Sequence, residues 1–88
     1  MSWACELTQD AEKDLRDLPG DARRSIARVL DQMAANPFLG DTRALKGSEW
    51  KGVFRRRAGS YRIFFMADHQ AKIATVIRIV RRSEKTYR

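Results

Sequence analysis

Apolar periodicity changes once along this chain, and the change limits the folds open to it. Between residues 11 and 33 apolar side chains recur at helical spacing; from Val53 to Val80 they alternate or run together, as in strands. Ala11, Leu15 and Leu18 share one helical face at i, i+4 and i+7, and Ile26, Val29, Leu30 and Met33 repeat the pattern. Thr8 is a candidate N-cap, with acidic Asp10 and Glu12 in the first turn behind it. Pro19-Gly20 ends the first helix, Asp21 is expected to cap the second, and Asn36-Pro37 stops it. Two helices joined by so short a turn should form an antiparallel hairpin.

A short alternating stretch, WACEL at residues 3–7, reads as a half-buried strand ahead of the helices. Residues 38–49, FLGDTRALKGSE, read as a connector. Three strands follow: Trp50 to Arg57, Tyr61 to Ala67, and Ala71 to Arg81. Ala58-Gly59-Ser60 and Asp68-His69-Gln70 are the turns between them, with His69 an ordinary turn residue. Alternation sends Val53, Arg55 and Arg57 one way and Trp50, Phe54 and Arg56 the other. The run ATVIRIV is apolar on both faces and suits a central strand. The expected architecture is therefore α+β, in the order β-α-α-β-β-β. A helical hairpin packs on one face of a small antiparallel sheet, and the first strand lies at an edge or beside the last. The second face is not covered by this chain and carries the outward arginines.

With 88 residues the chain is expected to be one domain, residues 1–88. It contains no apolar run long enough for a membrane span and shows no secretory signal, and its lone cysteine, Cys5, suits the reducing cytoplasm. The net charge of +7 is unevenly placed: residues 1–50 are net −2 and residues 51–88 net +9. Such asymmetry is the footprint of a protein that meets a polyanion, most often nucleic acid.

The residue inventory excludes several chemistries. One histidine and one cysteine make no zinc site of ordinary type. The basic half holds only Asp68 and Glu84 as carboxylates, too few for a two-metal nuclease. No phosphate-cradling glycine loop and no Ser-His-Asp set occur, so no metal and no cofactor is expected. What remains is Arg, Lys and Tyr. Guanidinium groups bind phosphate oxygens in bidentate fashion and stabilise charge that develops on a phosphoryl group. RNA supplies its own nucleophile, the 2′-OH, so cleavage needs only alignment, a proton acceptor and charge stabilisation. The stretch RRRAGSYR, residues 55–62, concentrates the required groups. Arg55 and Arg57 lie about 7 Å apart on one strand face, and Arg62 starts the next strand across the turn.

Three stretches in order carry a resemblance to a family: Leu45-Lys46-Gly47, Arg55 to Arg62, and Arg82 to Tyr87. Together, over essentially the whole chain, they resemble the RelE/ParE toxins of bacterial and archaeal toxin–antitoxin pairs, whose fold is microbial-RNase-like. The resemblance implies a cytoplasmic toxin held by a cognate antitoxin in a heteromeric complex, without a membrane partner. RelE-like members cleave mRNA in the ribosomal A site and so inhibit translation. By that resemblance Arg55 and Arg57 bind phosphates flanking the scissile bond, and Arg62 stabilises the transition state. Arg82 or Arg81 assists the leaving oxygen, and Tyr87 stacks on the nucleotide or acts as general base. Val53 stands where the RelE pattern has lysine; Lys51, one more step of the pleat away on the same face, is the candidate phosphate contact to compensate for it.

Alternative readings of these residues stand beside the functional ones. Arg78 fits either an outward phosphate contact or a structural ion pair. Arg56 reads as a packing or surface arginine, Tyr61 as a core aromatic, and Trp3 and Trp50 as core or interface anchors. Tyr87 lies where a chain end can fray. The rival functions are a ParE-like inhibitor of DNA gyrase without catalytic residues, and an inert nucleic-acid-binding module of the same fold.

Overall fold

In the computed structural model, which describes residues 3–81, the chain starts with a strand, β1 (Ala4–Leu7), and turns into α1 (Gln9–Arg16) at Thr8. Thr8 is the N-cap expected from the sequence: its Oγ1 accepts the Ala11 N–H at 3.2 Å. The same hydroxyl donates to the Ile77 carbonyl at 3.2 Å, which ties the helix start to the sheet. Helix α2 (Gly20–Ala35) begins earlier than an Asp21 cap would have it. Pro19 is the N-cap and its carbonyl accepts from Arg23 N; Asp21 lies inside the first turn, where its carboxylate favours the helix dipole. Arg23 also donates to the carbonyls of Arg16 and Leu18, capping the end of α1.

The connector contains a strand that the sequence did not reveal, β2 (Thr42–Ala44), and a 3₁₀ turn at Ser48–Trp50. Then come β3 (Val53–Ala58), β4 (Tyr61–Asp68) and β5 (Ile73–Arg81). The five strands form one sheet in the order β1-β5-β4-β3-β2. Its last four strands pair antiparallel, whereas β1 runs parallel to β5, so the sheet is mixed. β1 occupies an edge beside β5, as expected. Among the described residues no helix is long and apolar enough to cross a membrane.

The main core lies between the helices and one sheet face. Ala11, Ile26, Leu30 and Met33 meet Ile63, Phe65, Ala74, Val76 and Ile79 there, and all are buried. At one end Phe38 stacks on His69, with ring centroids 5.4 Å apart, and Trp3 meets both edge-on. His69 is thus part of an aromatic corner rather than merely a turn residue. Cys5 is half-buried, and burial, aided by Asp31 and Glu6, raises its thiol pKa, so it stays protonated near neutrality.

The second face of the sheet is not bare. Val53, Phe64 and Val80 form a smaller core, roofed by Leu45, Trp50 and Ile77, with Trp50 stacked on Phe64 at 6.1 Å. Trp50 therefore belongs to the face of Val53, contrary to the alternation read from the sequence. The turn at Lys51-Gly52 separates it from β3 and resets the pleat.

Alternation in β4 gives a direct stability test. Phe65 is fully buried and its neighbour Met66 is 45% exposed. Phe65→Ala is expected to lower the unfolding free energy by about 3–5 kcal/mol in urea denaturation, and Met66→Ala by under about 1 kcal/mol.

Candidate nucleic-acid interface

Three consecutive arginines in β3 cannot share a face, because successive strand side chains point to opposite sides. Arg55 and Arg57 point away from the helices and Arg56 points toward them. The hairpin fixes their partners across the sheet. Ala58 pairs with Tyr61 around Gly59-Ser60, and Gly59 takes the positive φ of 59° that the turn needs. Counting back, Arg57 lies opposite Arg62, Arg56 opposite Ile63, and Arg55 opposite Phe64. Residues directly opposite share a face, so Arg62 joins Arg55 and Arg57 on the helix-free side.

The sheet adds a fourth. Arg43 in β2 lies opposite Arg55 and so projects from the same face, where it is exposed. It was missed because TRA between two glycines is too short to show alternation. Arg43, Arg55, Arg57 and Arg62 thus span three adjacent strands. The Arg57–Arg62 pairing sets like charges directly across from one another, which disfavours the ladder. Asp41, just before β2, offsets part of this. Its Oδ1 lies 3.5 Å from Arg55 Nη1 and its Oδ2 3.8 Å from Arg57 Nε.

Arg56 is a buried guanidinium, 7% exposed, in the packing role read from the sequence. Its Nη2 donates to Gln32 Oε1 of α2 at 3.1 Å, while Nε and Nη1 have no hydrogen-bond partner. Burial lowers its pKa from the ordinary arginine value, and nearby Asp41 acts in the opposite direction. Gly40, at φ 75°, lies against this group: a Cβ there would fall 2.8 Å from Arg56 Cζ.

Other expected site residues lie elsewhere. Arg78 sits beside an irregularity in the β4–β5 ladder: Phe64 pairs with Arg78 but Phe65 with Val76, so Ile77 is the extra residue. The bulge turns Arg78 toward α1, where its Nε donates to Asp14 Oδ2 at 2.7 Å. Asp14 also accepts the Ile79 N–H at 2.9 Å. Arg78 is therefore an ion-paired residue at the helix side and does not join the arginine face. Arg81 lies opposite Tyr61, with its guanidinium 5.8 Å from the Tyr61 ring centroid, and both line a groove beside the end of α1 with Asp14 and Arg78. Lys51 is exposed in the turn before β3, outside the strand pleat, so it does not extend the row of Arg55 and Arg57. Arg82 and Tyr87 lie outside the described residues. Among the described residues no three His, Cys, Asp or Glu side chains group as a metal site would require.

Known proteins resemble this chain over nearly its whole length. The family model described as "ParE toxin of type II toxin-antitoxin system, parDE" matches residues 5–86. The RelE1 chain of Methanocaldococcus jannaschii is 29% identical over 91 residues, covering 100% of this chain and 98% of that one. Among solved structures, the archaeal RelE–RelB complex from Pyrococcus horikoshii OT3 aligns with a TM-score of 0.81. The identity is 21%, covering 97% of this chain and 100% of that chain. The toxin–antitoxin complex RelBE2 from Mycobacterium tuberculosis aligns with a TM-score of 0.82 at 22% identity, covering 93% and 100%.

Arg56 can be tested apart from the exposed arginines. A buried charge replaced by an apolar group of similar length is often neutral or stabilising. Arg56→Met is therefore expected to change stability by less than about 1 kcal/mol in urea denaturation, or to raise it. A loss above about 2 kcal/mol would show that the guanidinium itself holds α2 to β3.

Proposed function

This chain belongs to the ParE toxin family of type II toxin–antitoxin systems, and from that premise we propose that it is a RelE-type mRNA endoribonuclease acting on the ribosome in the cytoplasm. The observation that carries the reading is the helix-free face, where Arg43, Arg55, Arg57 and Arg62 project from β2, β3 and β4. A sheet that retains like charges directly opposite one another gives up local stability. A polyanion that bridges them recovers it. A phosphodiester backbone is such a polyanion, and guanidinium forks match its oxygens.

In the proposed reaction the 2′-oxygen attacks the adjacent phosphorus, the bond to the 5′-oxygen breaks, and a 2′,3′-cyclic phosphate and a 5′-hydroxyl end result. Arg55 and Arg57, with Arg43, bind the phosphates on either side. Arg62 donates to the non-bridging oxygens as charge builds on them. The leaving 5′-oxygen needs a proton and the 2′-OH must lose one. Tyr87 is assigned to take the 2′-OH proton, and Arg82 to hold the leaving 5′-oxygen by hydrogen bonds while that oxygen takes its proton from water, since Arg81 is engaged with Tyr61. No metal enters the scheme, because guanidinium groups and the RNA's own nucleophile supply what it needs. The partner that holds the toxin in check is proposed to be a RelB-like antitoxin, in keeping with the complexes that this fold matches.

The matching family description favours one rival, a ParE-like protein that inhibits DNA gyrase and does no RNA chemistry. Mapping of mRNA cuts on programmed ribosomes separates the two. The wild type is expected to cut in the A site with or without chelator. Arg62→Ala is expected to reduce cutting about a hundredfold or more, and Arg78→Ala to leave it within about threefold. No cutting by folded wild-type protein, with inhibition of gyrase supercoiling, would replace this reading with the rival one.

A further inference from the structure

Asp41 stands at the rim of the arginine face with its two carboxylate oxygens aimed at two different guanidiniums. Both separations, 3.5 Å to Arg55 and 3.8 Å to Arg57, exceed the roughly 2.7–2.9 Å of a charge-assisted hydrogen bond. The side chain is half exposed, so neither pair is strong. Arg55 Nη1, by contrast, is buried and lacks a hydrogen-bond partner. The backbone, not the ion pairs, holds Asp41 there: its carbonyl accepts the Arg57 N–H at 3.0 Å, directly after the positive-φ turn at Gly40. A carboxylate is thus kept close to two guanidiniums without satisfying them. An acceptor that reaches hydrogen-bonding distance, such as a phosphate, would satisfy Arg55 Nη1 and displace the carboxylate.

We propose that Asp41 is an intramolecular stand-in for phosphate, which positions Arg55 and Arg57 and competes with the RNA backbone for them. The proposal rests on the nucleic-acid reading above and adds to it a residue that sets the strength of binding. In the free protein the carboxylate offsets repulsion among Arg55, Arg57 and Arg62. On binding, a phosphate takes over that part and Asp41 moves toward solvent. Removing its charge should therefore tighten binding, and should expose about one more positive charge to the nucleic acid.

The test is fluorescence anisotropy with a labelled single-stranded oligonucleotide whose 2′-hydroxyls are methylated, so that binding is read without cleavage. Affinity is measured against salt for the wild type, Asp41→Asn, Asp41→Ser, Asp41→Glu and Glu12→Gln. Glu12 is an exposed α1 residue whose neutralisation changes net charge equally, away from the sheet. Asp41→Asn and Asp41→Ser are expected to tighten binding by about two- to fivefold near 0.1 M salt. They should also steepen the slope of log K against log salt by about 0.7. Asp41→Glu should stay close to wild type, and Glu12→Gln should leave the slope unchanged. Circular dichroism confirms that each variant is folded, and Asp41→Ser serves if Asp41→Asn is not. Weaker binding or an unchanged slope in the neutral variants overturns the proposal, as does an equal effect in Glu12→Gln. Failure of every protein, wild type included, to bind the oligonucleotide overturns the nucleic-acid reading as well.

Discussion

Ala58 pairs with Tyr61 across the Gly59-Ser60 turn, and the position of every arginine in β3 follows from that pairing. The pleat sends Arg55 and Arg57 outward and Arg56 inward. The register then sets Arg62 directly across from Arg57. A slip of one residue would turn Arg55 and Arg57 toward the helices and Phe54 away from them, so the hydrophobic face enforces the register. Phe65 and Ile63, fully buried beneath the helices, make β4 a rigid support for Arg62. The arginines are therefore held by the core rather than by each other.

Two features of this arrangement carry a local cost. Arg56 is desolvated with two nitrogens lacking hydrogen-bond partners, and Arg57 faces Arg62 across the ladder. Selection for stability alone gives no reason to keep either. Both lie within the same segment, beside Asp41 and the glycine turn that positions it. The basic half of the chain is otherwise divided among distinct environments. Arg78 is bound to Asp14 and Arg81 to Tyr61, in a groove on the helix side. A net charge of +7 thus does not describe one uniform basic surface.

Most of the fold was legible in the sequence because its signals are local. Helical spacing in Ile26, Leu30 and Met33, the Thr8 cap and the Gly59 turn all act within a few residues, and all appear in the structure. What was not legible depends on distant partners. β2 has too few residues to show a period and exists because β3 pairs with it, which is why Arg43 was overlooked. Trp50 was assigned the wrong face because the Lys51-Gly52 turn interrupts the alternation. The bulge at Ile77 has no signature within ATVIRIV, yet it decides which way Arg78 turns. The covering of the second face by Leu45 and Trp50 arises from loop packing that periodicity does not encode. Tyr87 is assigned from the family resemblance, and Arg82 from that resemblance together with the engagement of Arg81 by Tyr61.

The most direct measurement is an arginine Nε–Hε correlation spectrum of the protein, recorded during titration with a single-stranded RNA methylated at its 2′-hydroxyls. The account predicts that the resonances of Arg43, Arg55, Arg57 and Arg62 move together and saturably, while those of buried Arg56 and Asp14-bound Arg78 stay in place. Movement confined to Arg78 and Arg81, or no saturable movement in the Arg43–Arg62 set, would contradict the assignment of the helix-free face as the phosphate site.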